Sequence, residues 1–190
     1  DDALYAVPPW EKHASEENNT IERRKRINNV LKRIPHAIVG SPIIEEYVSK
    51  FCENVLVVPT SLLKSKYSEY YNKRPKKKET FVLGWIGNEE NLWYLEQVES
   101  VIETFLSEQA NAQLHIVTAS NPLRRPLSHL IGKKVRYFEW SKTQELGYIN
   151  QFDVAIRPLT NDKWTRSKGG FTSVVQCMAT GKPVVVSPVG

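Results

Sequence analysis

The chain has 190 residues, of which 41% are hydrophobic and 25% charged, with a formal net charge of +5 from 26 lysines and arginines against 21 aspartates and glutamates. That length allows one good hydrophobic core and part of a second, and the composition is ordinary for a soluble globular protein. No stretch approaches the roughly 18 apolar residues of a membrane-spanning helix, and no secretory leader is read, so the expectation is a cytoplasmic protein.

The mild positive balance suits an anionic partner, whether phosphorylated ligand, nucleic acid or acidic membrane surface, without choosing among them. Cys52 and Cys177 are the only cysteines. Each lies in an apolar helical context with no second cysteine or histidine close by, so both are expected to be buried free thiols.

Residues Asp1 to Trp10 read as the tail of something already under way, with Pro8-Pro9 as an extended exit. A polar, charge-rich segment from Ser15 to Arg33 follows. Its apolar positions Ile21, Ile27, Val30, Leu31 and Ile34 recur at helical spacing, and Arg23-Arg24-Lys25-Arg26 reads as a solvated face. Ala37-Ile38-Val39 predicts a strand, Ser41-Pro42 caps a helix running to about Phe51, and Val55 to Val58 predicts another strand stopped by Pro59. The lysine- and tyrosine-rich stretch from Lys64 to Lys78 reads as a linker.

After it the pattern restarts. Phe81 to Gly87 predicts a strand ending in a glycine turn, and one helix is expected from about Glu89 to Gln109. Strands at Leu114 to Val117, Lys134 to Trp140, Asp153 to Ile156 and Pro183 to Ser187 alternate with helices near Thr143 to Asn150 and Phe171 to Thr180. Short apolar runs alternating with amphipathic helices predict parallel strands joined by right-handed crossovers, an α/β doubly wound sheet of Rossmann-like type. The division expected is residues 1–60, a basic linker at 61–80, and an α/β domain at 81–190.

Ligands of such sheets bind at the carboxyl ends of the strands. Four loops qualify. Gly84-Trp85-Ile86-Gly87-Asn88 offers backbone approach at Gly87 and a helix start at Asn88, although Glu89 and Glu90 would oppose a phosphate there. His115 to Ser120 caps a helix or touches a nucleotide, with His115 itself read as a core histidine. In the third, Trp140 either stacks on a base or packs under the sheet edge. The fourth is the most informative. Arg157-Pro158-Leu159 ends a strand, a long polar loop carries Lys163, Arg166 and Lys168, and Gly169-Gly170-Phe171 opens a helix. Cations beside a glycine-opened helix start suit a diphosphate, because point charges and N–H donors converge there.

Asp153-Val154-Ala155-Ile156-Arg157-Pro158-Leu159, then Trp164 to Phe171, then Gln176-Cys177-Met178-Ala179-Thr180-Gly181-Lys182-Pro183-Val184-Val185 closely resembles the donor-binding domain of glycosyltransferases with the GT-B fold, family 4, group 1 type. Ile38 to Ser41, Glu46-Tyr47, Asn54 to Thr60 and Gly84 to Gly87 fit the same family in order. The resemblance implies transfer of a sugar from a nucleotide-diphosphate sugar, with retention and without an essential metal or other cofactor. By resemblance Lys168 and Arg166 carry the catalytic contacts to the diphosphate or donor sugar, and Gly87, Asn88, Trp140, Gly169, Gly170, Phe171 and Gln176 line the donor site.

Members often carry two glutamates eight positions apart; Lys168 and Gln176 stand at those positions here. Gln176 can still bond a ribose hydroxyl, whereas Lys168 cannot accept a bond. The resemblance also reads residues 1–60 as the remnant of an N-terminal acceptor domain with the inter-domain segment, 81–190 as the nucleotide-sugar-binding domain, and the chain as cut off at both ends and inactive alone. It leaves the acceptor open among glycan, lipid and small molecule, and peripheral contact with the inner face of a membrane open. A non-catalytic nucleotide-binding module and a sugar-nucleotide epimerase of the same fold are the alternatives. A nucleic-acid partner is not expected, because the basic runs lack interleaved aromatics.

Overall fold

Short parallel strands and amphipathic helices alternate along the chain in the computed structural model, which describes residues 3–11, 16–71, 79–168 and 171–189. The strands are β1 (His36–Val39), β2 (Asn54–Val57), β3 (Phe81–Ile86), β4 (Ala112–Thr118), β5 (Val135–Glu139), β6 (Val154–Arg157) and β7 (Val184–Val186). The helices are α1 (Glu16–Leu31), α2 (Pro42–Val48), α3 (Lys64–Tyr71), α4 (Leu92–Glu96), α5 (Glu99–Glu108), α6 (Glu145–Gln151), α7 (Lys163–Arg166) and α8 (Thr172–Ala179), with 3-10 turns at Pro9–Glu11, Glu89–Asn91 and Ser128–Leu130. The chain divides into two compact units, the first Asp1–Ser61, Thr160–Thr172 and Pro188–Gly190, the second Leu62–Leu159 and Ser173–Ser187.

In the first unit β1 and β2 pair in parallel from His36↔Asn54 to Val39↔Val57. The start of α2 follows from its sequence: Pro42 sits in the first turn, and the Ser41 hydroxyl accepts from Ile44 N at 3.3 Å. Leu31, Val39, Ile44, Val48 and Cys52 form one core. The α1 stripe is narrower than its sequence suggests, because Ile27 and Leu31 face inward while Ile21 and Val30 stay exposed. A second cluster joins Ala3, Tyr5 and Ala6 to Trp164.

The second unit is a five-stranded sheet in the order β5-β4-β3-β6-β7, with every pairing parallel. Its two faces are read from alternation along the strands. Trp85 and Ile116 point into a cluster with Leu92, Leu95, Ile102 and Leu106, whereas their neighbours Ile86 and Val117 point into a cluster with Tyr67, Leu146, Ile149 and Cys177. Helices α4 and α5 therefore cover one face, and α3, α6 and α8 the other. This is the α/β doubly wound arrangement that the sequence pattern predicts.

Two differences from the sequence reading have physical causes. The single helix expected from Glu89 to Gln109 is a 3-10 turn, α4 and α5, with the break at Val98 (φ −123°, ψ 16°). Breaking there brings Leu92 and Leu95 before the break, and Ile102 and Leu106 after it, into one core. Residues 64–71, inside the stretch whose composition reads as a linker, form α3; residues 72–78 lie outside the described part. Tyr67 is buried at 5% exposure, and that burial sustains a helix whose lysines and serines alone would not predict one.

Candidate functional site

β3 is followed in the chain by β4 on one side, and the chain later returns to β6 on the other. The carboxyl ends of β3 and β6 therefore flank the point where strand order reverses, the usual ligand position in an open α/β sheet. Gly87 follows β3 directly, half-buried. A Cβ there would stand 2.8 Å from the Trp85 ring and 3.2 Å from Arg157 Nη1. Glycine at this position is thus required by the packing of Trp85 and Arg157, whatever else approaches the backbone. Asn88 is exposed and makes no side-chain cap bond to the turn that follows. Glu89 is turned to another use: its Oε1 accepts from Leu123 N at 2.6 Å.

Two of the sequence-predicted site residues meet at a carboxylate that the sequence did not single out. Glu145, at the start of α6, is 7% exposed. Its Oε1 accepts from Gln176 Nε2 at 2.8 Å and from Trp140 Nε1 at 3.4 Å, and its Oε2 accepts from Lys66 Nζ at 2.8 Å. Trp140, after β5, is half exposed at 47%, while Gln176 on α8 is buried. Burial by itself would raise the Glu145 pKa, but the bonds from Lys66, Gln176 and Trp140 outweigh it and hold the carboxyl below its ordinary value. The same bond raises the Lys66 pKa. The only signal for Glu145 in the sequence is an acidic residue in a first helical turn, which usually means a favourable dipole and nothing more.

Lys163, Arg166, Lys168 and Phe171 belong to the first unit. Asp162 caps α7: its Oδ1 accepts from Thr165 N at 2.9 Å, and its Oδ2 accepts from Thr160 Oγ1 at 2.6 Å and Thr165 Oγ1 at 2.9 Å. Ser167 is fully buried; its carbonyl accepts from Ser41 Oγ at 2.8 Å, and its hydroxyl lies 3.1 Å from Tyr5 Oη. These bonds fix the loop that carries the cations. Arg166 is exposed in the last turn of α7. Lys168 is half-buried with its Nζ 5.8 Å from the centre of the Trp10 ring, and Lys163 Nζ lies 5.6 Å from that of Tyr5. Phe171 enters α8 in the left-handed region, φ 36°. Gly169 and Gly170 lie outside the described residues.

His115 is buried in β4 against the Phe138 ring, centroids 4.9 Å apart, as a core histidine should be. Cys52 and Cys177 are both free and buried. Among the described residues no group of three or more His, Cys, Asp or Glu is arranged to hold a metal ion, and no helix is long and apolar enough to cross a membrane.

No family model and no curated protein matches the chain. Solved structures do. TarM matches with a TM-score of 0.67 at 12% identity, over 100% of this chain and 36% of its own. The pneumococcal O-GlcNAc transferase GtfA, solved in complex with UDP and GlcNAc, matches with a TM-score of 0.56 at 16% identity, over 89% of this chain and 33% of its own. The trehalose-6-phosphate structure from E. coli, bound with UDP-2-fluoro glucose, matches with a TM-score of 0.56 at 9% identity, over 97% and 52%. The chain thus spans about a third to a half of the length of these proteins. Its α/β fold is that of GT-B glycosyltransferases with Rossmann-like domains.

Proposed function

We propose that the protein binds a nucleotide-diphosphate sugar as donor substrate and serves transfer of its glycosyl group to an acceptor, with retention and without an essential metal or cofactor. The observation that carries this reading is the meeting of Trp140 and Gln176 on Glu145, from the loop after β5 and from α8, within a fold shared with glycosyltransferases. An indole held by its N–H leaves its ring face for a base, and an amide held through its nitrogen leaves its oxygen to accept from a ribose hydroxyl. That GtfA was solved with UDP and GlcNAc, and the E. coli structure with UDP-2-fluoro glucose, supports a nucleotide-sugar donor.

In this reading Arg166 and Lys168 hold the diphosphate with Gly87, Asn88, Gly169, Gly170 and Phe171 around it. Negative charge on the leaving group would be stabilised electrostatically. The acceptor is a glycan, lipid or small molecule, and the setting is cytoplasmic, with or without peripheral contact at a membrane face.

Thermal unfolding against UDP, GDP, ADP and CDP, free and sugar-linked, tests this reading. A ligand at a hundred times its Kd adds about 2.7 kcal/mol to the native state. One nucleotide should raise the midpoint, and Lys168→Ala or Arg166→Ala should abolish the rise. Absence of a shift with every nucleotide would sink the proposal. A shift without sugar transfer or donor hydrolysis, even in a longer form of the protein, would favour the non-catalytic binding module.

A further inference from the structure

Residues 3–11 bring aromatic rings to the loop that carries the cations, and both segments belong to the first unit. Tyr5 is buried; its ring stacks on that of Tyr47 with centroids 3.8 Å apart, and its hydroxyl lies 3.1 Å from Ser167 Oγ. Lys163 Nζ lies 5.6 Å from the centre of the Tyr5 ring. Trp10 meets Trp164 edge to face, centroids 6.0 Å apart, and Lys168 Nζ lies 5.8 Å from the centre of the Trp10 ring. Two lysines of one loop thus each stand over a ring from one short segment.

The two pairs differ in what they leave open. Tyr5 is 3% exposed and already engaged by Tyr47 and Ser167, so its lysine completes a packed cluster. Trp10 and Lys168 are both half-buried, so the second ammonium stays within reach of a solute. A ring face attracts an ammonium without cancelling its charge, whereas a carboxylate in the same place would neutralise the field an incoming anion feels. Indole is the strongest of the aromatic faces for a cation. The contact also restrains a long, flexible side chain before any ligand arrives, which lowers the entropy lost on binding.

We infer that Trp10 is a positioning residue for Lys168: its indole face, braced by Trp164, pre-orients the ammonium that holds an anionic ligand. Identifying that ligand as the diphosphate of a nucleotide sugar rests on the reading above; the pairing of Trp10 with Lys168 does not.

The test compares the 190-residue chain with Trp10→Leu, Trp10→Phe, Lys168→Ala and the double variant Trp10→Leu/Lys168→Ala. Proton NMR reads the pairing itself. Ring current should shift the Lys168 ε-methylene signal upfield, the signal that Lys168→Ala deletes, and Trp10→Leu should return it among the other lysines. Titration with inorganic diphosphate and with the nucleotide panel reads the consequence. Trp10→Leu should weaken diphosphate binding about three- to thirtyfold, the reach of one cation–π contact, and Trp10→Phe should recover part of that loss. In the Lys168→Ala background Trp10→Leu should change affinity by about twofold or less, since the ring acts through the lysine. An unshifted Lys168 signal, or an equal effect of Trp10→Leu in both backgrounds, would overturn this inference and leave the nucleotide reading standing. Diphosphate bound with these dependences, but no nucleotide bound by any form, keeps the inference and sinks that reading. A parent chain that binds neither sinks both.

Discussion

Gly84 lies in the middle of β3, opposite Phe152, whose ring is fully buried. A Cβ at Gly84 would overlap that ring. Phe152 packs with Tyr67, Ile149 and Cys177 beneath the sheet, so it has no room to yield. Gly84→Ala should lower stability by about 3 kcal/mol through overpacking, measured from the urea midpoint. From sequence both Gly84 and Gly87 invite a phosphate-loop reading. The structure gives each a packing reason, and a lone glycine carries no mark that separates the two.

Elements of the second unit are tied together by Glu145, which joins α3, α6, α8 and the loop after β5 through Lys66, Gln176 and Trp140. Removing the carboxylate strands a buried amide and the cation beside it. Glu145→Ala should cost about 2 kcal/mol. The pH dependence follows from the two shifts. Glu145 has a folded pKa below its ordinary 4.5, so its contribution is whole above 4.5 and is lost as pH falls through the folded value. Lys66 is raised above its ordinary 10.5, so its share is whole below 10.5 and is lost as pH rises through the folded value. The difference in urea midpoint between the parent and Glu145→Gln should be widest between these limits and shrink outside them. A difference that stayed constant with pH would show that the contact adds packing alone.

A second prediction belongs to α7, which spans only Lys163–Arg166. So short a helix depends on its cap rather than on propensity. Asp162→Ala should cost about 1 kcal/mol. Amide exchange at Thr165 should quicken, since its N–H donates to Asp162. The cap itself is legible in sequence as an aspartate before the basic run. Its consequence, a fixed loop presenting Arg166 and Lys168, depends on Tyr5 and Ser41, far away in the chain.

At the scale of the whole molecule, the alternation of apolar runs with helical stripes was sufficient to determine the α/β class, the parallel strands and the approximate position of every strand. Period and burial are local properties written into the order of residues. The capped start of α2 and the burial of both cysteines were legible for the same reason, as was the core role of His115. The ordered segments from Asp153 to Val185 pointed to the GT-B fold, which the solved structures share.

Tertiary structure alone decided what depends on residues distant in sequence. It broke one long helix at Val98 so that four apolar side chains could reach one core, and it stabilised α3 by burying Tyr67. It grouped residues 160–172 with the first unit and brought Trp140 and Gln176 to a carboxylate that no motif marks. It also covered Nε and Nη1 of Arg157 at the end of β6, with no hydrogen-bond partner for them among the described residues. Periodicity tells which way a side chain faces, but the charges and donors that meet it there come from elements the chain brings together only on folding.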